Sequence, residues 1–400
     1  MSTRMATGLA KGSDSEATAR AAVESALRRF GSGSPELVIL YCSSLHDYAA
    51  VLATVRSLTP GSALIGASTA GEFTEDRVET GSVAVGLIAS EDIRFFTGLA
   101  EGIDRDLETA VGSIITKIPL EVPGYPHRCL LLLTDGMVGN GEEITLLVSN
   151  MAGQGTQVVG GLAADDFEME KTVVFHGDKF AEKAASICVM ASRKPFFTSV
   201  NHGHCPLTEP LRITRAEGNV VYEVDGRPAW EVWKEKTARA ARELGIDVEE
   251  IGASGDVAAY FSNFELGLHT GEGQYKMRYP MSINPDGSIN FTCTIPNGAS
   301  IRIMDGHDLT RQIAASRRSA EQVRATAEAA GQTEFAGALV IECAVRQFLL
   351  GERFPEAVEV IRDVLGGAPI LGAETYGEMR LEPGEFSGLH NTTTVVLLIP

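Results

Sequence analysis

The sequence predicts an α/β chain of mixed α+β elements, in which repeated β-α-β modules form two domains. Three observations carry that expectation. First, residues 64–71, Leu-Ile-Gly-Ala-Ser-Thr-Ala-Gly, return near the C-terminus as residues 370–377, Ile-Leu-Gly-Ala-Glu-Thr-Tyr-Gly, and a glutamate follows each copy, Glu72 and Glu378. A weaker third copy, residues 158–165, reads Val-Val-Gly-Gly-Leu-Ala-Ala-Asp and is followed by Asp166, so the acid stands six residues beyond Gly66, Gly160 and Gly372 alike. Second, each copy closes the same order of apolar strand, amphipathic helix and apolar strand, which makes the likeness a repeated fold unit rather than a chance string. Third, 400 residues at 44% apolar content exceed one simple core and call for more than one domain.

Taken in order, residues 5–10 read as an edge strand. Asp14 or Ser15 caps a helix over 16–30, which the Gly-Ser-Gly-Ser run at 31–34 ends. Residues 37–42 are a continuous apolar strand, expected to be covered on both faces. A helix over 46–58, a strand over 63–66, the first repeated loop and a strand over 82–88 complete the first unit. The second has a strand at 128–133, a helix at 142–152, a strand at 157–159, its loop, and strands at 172–175 and 186–190 with Gly177-Asp178 as a turn. The third is expected to start near Phe335, with a strand at 338–343, a helix at 355–364, a strand at 368–371, its loop and a closing strand at 393–399. Residues 196–331 differ from all three. They offer a hairpin over 213–226, a helix-like run over 229–244, two short strands around 284–287, and a polar helix over 314–330 that bridges the halves. A boundary within 198–206 gives an N-terminal domain over 1–200 and a C-terminal domain over 201–400.

Net charge is −19, with the negatives spread along the chain. Such a surface repels phosphate backbones and argues against nucleic acid. The repeated loops lack Gly-Lys-Ser/Thr and G-x-G-x-x-G, and each carries an acid that opposes phosphate. None of the six cysteines forms a C-x-x-C pair, no signal peptide opens the chain, and no apolar run reaches 18 residues. The expectation is a reduced, cytoplasmic protein without membrane partners. No nucleophile elbow or catalytic triad context emerges, so no enzyme is expected.

Residues 67–72, residues 159–166 and the block 213–230 resemble FIST proteins, which have an N-terminal and a C-terminal FIST domain and act in intracellular signal transduction. Residues 338–346, Tyr376 to Glu378, and His390-Asn-Thr-Thr also match, so the resemblance covers roughly residues 34–399. It implies a sensor that binds a small ligand and acts on a partner, such as a histidine kinase or a cyclic-di-GMP enzyme. One subset of the family is similar to nitric-oxide sensors that bind haem b.

Under the haem reading, His204 is the expected iron ligand, since a neutral imidazole is the simplest one. His202, Cys205 and His390 are further candidates, with Arg346 for a haem propionate and Tyr376 as a donor to an iron-bound atom. His202-Gly-His204-Cys205 falls at the domain junction, where pockets often form. Under a haem-free reading the ligand is a small carboxylate or amino acid. Arg346 then clamps the carboxylate bidentately, while Tyr376 and the loop acids Glu72, Asp166 and Glu378 take the other end. A third reading is an adaptor without a ligand. Plainer roles stand beside each residue: a polar turn for the His202–Cys205 group, fixing of the last strand for His390, an ion pair for Arg346, aromatic packing for Tyr376, amide capping for the three acids, and close backbone turns for the three glycines.

Overall fold

The structure, a computed structural model, describes residues 3–153, 155–254, 257–271 and 273–400. Its frame is three units with the same path. In the first, strand Thr3–Lys11 leads into helix Ser15–Phe30, strand Leu37–Ser43, helix Tyr48–Leu58, strand Ala63–Thr69, a hairpin, and strand Ser82–Ser90. The four strands lie in the order first, last, second, third, with only the second and third parallel. Strands Ile93–Glu101, His127–Thr134, Thr156–Leu162 and Ala184–Ser192 repeat that order, as do Phe197–His202, Gly337–Cys343, Ile370–Thr375 and Thr393–Ile399.

Each sheet reaches six strands by accepting the hairpin of another unit. The first unit's Gly71–Thr74 pairs with Ile370–Thr375 of the third. The third unit's Glu378–Leu381 pairs with Thr156–Leu162 of the second. The second unit's Val174–His176 pairs with Ala63–Thr69 of the first. The exchange is therefore cyclic. It explains why the repeated loops precede short strands: each loop hands the chain to its neighbour's sheet.

Side-chain alternation divides every central strand between two cores. Ile39, Tyr41, Leu131, Leu133, Leu339 and Ile341 point into one core shared by the three sheets. Their neighbours Val38, Leu40, Leu130, Leu132, Ala338 and Val340 point at each unit's own helices. Burial on both faces is the reason these strands read as unbroken apolar runs.

Two expectations change. The third unit begins at Phe197, not near Phe335, because a separate nine-stranded sheet spanning Cys205 to Asp305 is inserted between its first strand and its first helix. That helix is Leu309–Ala329, capped by the Asp308 carboxylate, and it packs on Phe197–His202 as the third unit's own first helix. The inserted sheet has its own core around Trp233, Tyr260 and Phe264. The repeat glycines also do not make turns. They lie inside strands, where a Cβ on Gly66 would fall 2.1 Å from the Leu40 carbonyl oxygen and one on Gly160 would fall 1.7 Å from that of Leu132. Close strand approach requires them.

Candidate functional site

The three repeated loops interlock where the units meet. Ala70 N–H donates to the Glu374 carbonyl, Ala164 N–H to the Ser68 carbonyl, and Tyr376 N–H to the Leu162 carbonyl. Ala70, Ala164 and Ala344 pack together against the Tyr376 ring. Glu72 accepts from Ser82 N–H at 3.2 Å and from the Ser82 and Thr69 hydroxyls. Glu378 does the same at the start of the third unit's closing strand, accepting from Thr393 N–H at 2.9 Å and its hydroxyl at 2.6 Å. Burial pushes both carboxyls up to about 8, against these hydrogen bonds. Asp166 accepts from Ser44 N–H at 2.7 Å and from the hydroxyls of Ser43 and Ser44. Tyr376 donates its hydroxyl to Asp165 and accepts from Phe167 N–H at 2.9 Å. These residues hold the junction closed, with their polar atoms turned on one another.

Arg346 is also sealed in. It donates to Glu342 at 2.6 Å, to the Gln312 side chain and carbonyl at 2.9 and 3.0 Å, and to the Ser316 hydroxyl at 2.7 Å. It is fully buried, and no face is left for an outside carboxylate. His204 lies one layer away. Its Nε2 faces the Ser262 carbonyl at 3.3 Å, its Nδ1 faces the Gln312 amide at 3.3 Å, and burial pushes its pKa down to about 3. The ring is so tightly packed that a Cβ on Gly306 would fall 2.2 Å from Nε2.

The main opening is a cleft of about 770 Å³ between the third unit's first strand, the inserted sheet and the segment after the third repeat. Residues 199–202 form one wall and 274–277 another, while Arg380, Glu385, Ser387, His390 and Thr393 close the third side. Of the nine residues expected from the sequence, His202 and His390 line it; His204, Cys205, Arg346, Tyr376, Glu72, Asp166 and Glu378 do not. Burial pushes His202 down to about 4 and His390 well below its ordinary value, so both are neutral imidazoles.

The cations of the cleft are Lys276 and Arg380, neither of them anticipated. Lys276 donates to the Ser387 carbonyl and, at 2.9 Å, to its hydroxyl. Burial and then the neighbouring Arg278 lower its pKa to about 8. Arg380 spans Glu382 at 2.9 Å, Glu385 at 2.7 Å and Thr198 at 3.3 Å. A sequence signal for Arg380 existed: two residues beyond Glu378 in a strand, it shares that acid's face, which looks toward the closing strand.

His204 is poorly placed to ligate a haem iron. His204 has no open space at either ring nitrogen. Among the described residues no group of three or more His, Cys, Asp or Glu side chains is placed to hold a metal ion. Also among the described residues, no helix is long and apolar enough to cross a membrane.

Residues 36–227 match the FIST N domain and residues 231–380 the FIST C domain. An uncharacterized protein of Methanocaldococcus jannaschii is 27% identical over 194 residues, covering 46% of this chain and 37% of that protein. The chain thus spans well under half of that relative's length. Two uncharacterized proteins of Mycobacterium tuberculosis, from strains CDC 1551 and H37Rv, are 25% identical over 405 aligned positions and 99% of both lengths. A solved structure described as "Cyanuric acid hydrolase: evolutionary innovation by structural concatenation" aligns over 100% of both chains at 11% identity, but its TM-score of 0.30 is too low to carry an argument.

Proposed function

Because this chain belongs to the FIST family of non-catalytic sensory proteins, with its N and C domains covering most of the length, we propose that it senses a small carboxylate or amino acid held in the cleft by Lys276 and Arg380. The observation that carries this reading is the pairing of two cations in a concave site on a chain of net charge −19. A carboxylate there gains charge-assisted hydrogen bonds from groups that now hold Ser387 and Glu385. His202, His390 and Thr393 supply neutral polar contacts for the other end of the ligand.

The three walls belong to different sheets, so a ligand that draws them together acts on the seam between the inserted sheet and the repeat frame. Its affinity must differ between the two arrangements for a signal to result. The output passes to a partner protein, a histidine kinase or a cyclic-di-GMP enzyme being the classes that family resemblance suggests.

Calorimetric titration with free amino acids and short mono- and dicarboxylates tests the reading. Lys276→Gln or Arg380→Gln should each weaken binding about 10- to 100-fold, as expected for a lost charge-assisted bond. Affinity should also fall as pH rises through about 8, where Lys276 loses its proton, and Lys276→Arg should remove that dependence. Unchanged affinity in both glutamine variants would reject the assignment.

A further inference from the structure

The two long walls of the cleft are sheet edges. Phe197–His202 is the outermost strand of the third unit's sheet, and Gln274–Arg278 is the outermost strand of the inserted sheet. Among the described residues no strand pairs with the far side of either. The way they line the cavity shows how they are turned. A strand that offered one of its faces would contribute alternate residues. Here four consecutive residues, 199–202, line the cleft, and so do four more, 274–277. The strands therefore present their backbone edges to the opening.

Free edges are normally guarded by proline, by a bulge or by an outward lysine. Neither run contains proline; the one irregularity in the pairing of Gln274–Arg278 lies between His269 and Gly271, opposite Tyr275 and Gln274, while the pairing of Phe197–His202 is regular throughout. Lys276 does stand on that edge, but its ammonium is drawn away to Ser387. The outer strands of the first two units are equivalent edges; among the described residues, it is the third unit's edge that faces the inserted sheet across the cleft. At the lip, the Phe386 side chain is 94% exposed, an uncommon position for a phenylalanine with nothing to cover it.

We infer that the cleft takes an extended peptide, which adds as a strand to the free edge of Phe197–His202 and sets its terminal carboxylate against Lys276 and Arg380. Four residues of edge run about 13 Å, enough for a four-residue strand. Main-chain hydrogen bonds supply the affinity, and Val200, Tyr275 and Phe386 offer apolar contacts for alternate side chains. The inference rests on the proposal that this cleft is the sensory site, and it names the ligand as a peptide rather than a free amino acid.

The test uses the full chain. A pool of hexapeptides, randomised at every position and ending in a free carboxylate, is equilibrated with the protein; retained peptides are recovered by gel filtration and identified by mass spectrometry. The strongest is then remade with N-methyl groups on one alternate set of backbone amides, on the other set, and with an amidated C-terminus. Strand addition uses every second amide, so at least one N-methylated set should bind tenfold or more weakly than the parent. Unchanged affinity for both sets overturns the inference. So does an empty pool alongside measurable binding of free amino acids, which would leave the small-carboxylate reading standing. If neither class binds, both fall together. The amidated peptide should also lose at least tenfold. Full affinity after amidation would remove Lys276 and Arg380 from the account while the N-methyl result still judged the strand. No part of this readout depends on a variant folding.

Discussion

At the scale of single residues, Arg346 separates two roles that the sequence left open. It lies in helix Ala344–Leu350, directly after a buried strand, a position equally suited to a ligand clamp and to an internal ion pair. The structure gives it Glu342 at 2.6 Å with both side chains fully buried. Burial raises the Glu342 carboxyl and Arg346 opposes that rise. Removing one partner strands the other charge in the core. Arg346→Ala should therefore cost about 3–5 kcal/mol, read from the midpoint of urea unfolding, and leave ligand affinity in the cleft unchanged under conditions where the variant is still folded. A cost under about 1 kcal/mol would mean that the pair contributes little net stability, and a selective loss of carboxylate binding would restore the clamp. Lys276 was not legible beforehand, and Arg380 only through its spacing from Glu378, for a plain reason. The cleft is assembled from residues 199–202, 274–277 and 380–393, and only the folded chain brings these together. His202 and His390 were legible because each sits in a dense polar motif of its own.

At the scale of elements, the repeat was readable and its purpose was not. Unbroken apolar runs and helical spacing located the central strands and helices to within a few residues. The strand Ile93–Glu101 and the helix Leu107–Ile115 were passed over, although Ser90 and Asp92 mark the short turn between that strand and its predecessor. The acids of the first and third repeats have the same local role, each tying its loop to the first residue of its own unit's closing strand. That role carries a pH signature. Unfolded, Glu72 and Glu378 release their protons near the ordinary value of 4.5; folded, they hold them to about 8. Between those values the native state binds more protons, so stability falls as pH rises through this window and levels off above it. Each group contributes about 1.4 kcal/mol per pH unit at most. Urea midpoints at pH 5, 6.5 and 8 should decline in the parent, and more gently in the Glu72→Gln/Glu378→Gln double variant. The slope will not vanish, since burial also raises Glu265 and Glu374. A parent whose midpoint rises across that range would contradict this description of the junction.

The whole molecule is held by the cyclic exchange of hairpins, and the exchange decides what can fold alone. No unit completes its own sheet, since each third strand takes its outer neighbour from elsewhere. The shared core draws Ile39 and Tyr41 from the first unit, Leu131 and Leu133 from the second, and Leu339, Ile341, Val395 and Leu397 from the third. A chain ending at residue 195 keeps two full repeats. It nevertheless loses the strand beside Thr156–Leu162, the acceptor for Gly71–Thr74, and the third unit's share of the common core. Exposing that much apolar surface removes the main driving force for folding. Such a fragment should show no cooperative thermal transition by circular dichroism. The inserted sheet makes the contrasting case. Its core is separate, and Cys205 and Asp305 face each other in register, so a short linker can join the chain across its base. A chain lacking that sheet loses the Glu265–Thr392 and Arg278–Leu389 hydrogen bonds, yet keeps all three repeat units whole. It should still melt cooperatively, at a lower temperature than the full chain. If instead the fragment ending at residue 195 melts cooperatively within a few degrees of the full chain, the exchanged hairpins are ornaments on independent units, and a ligand in the cleft would have no single body to act upon.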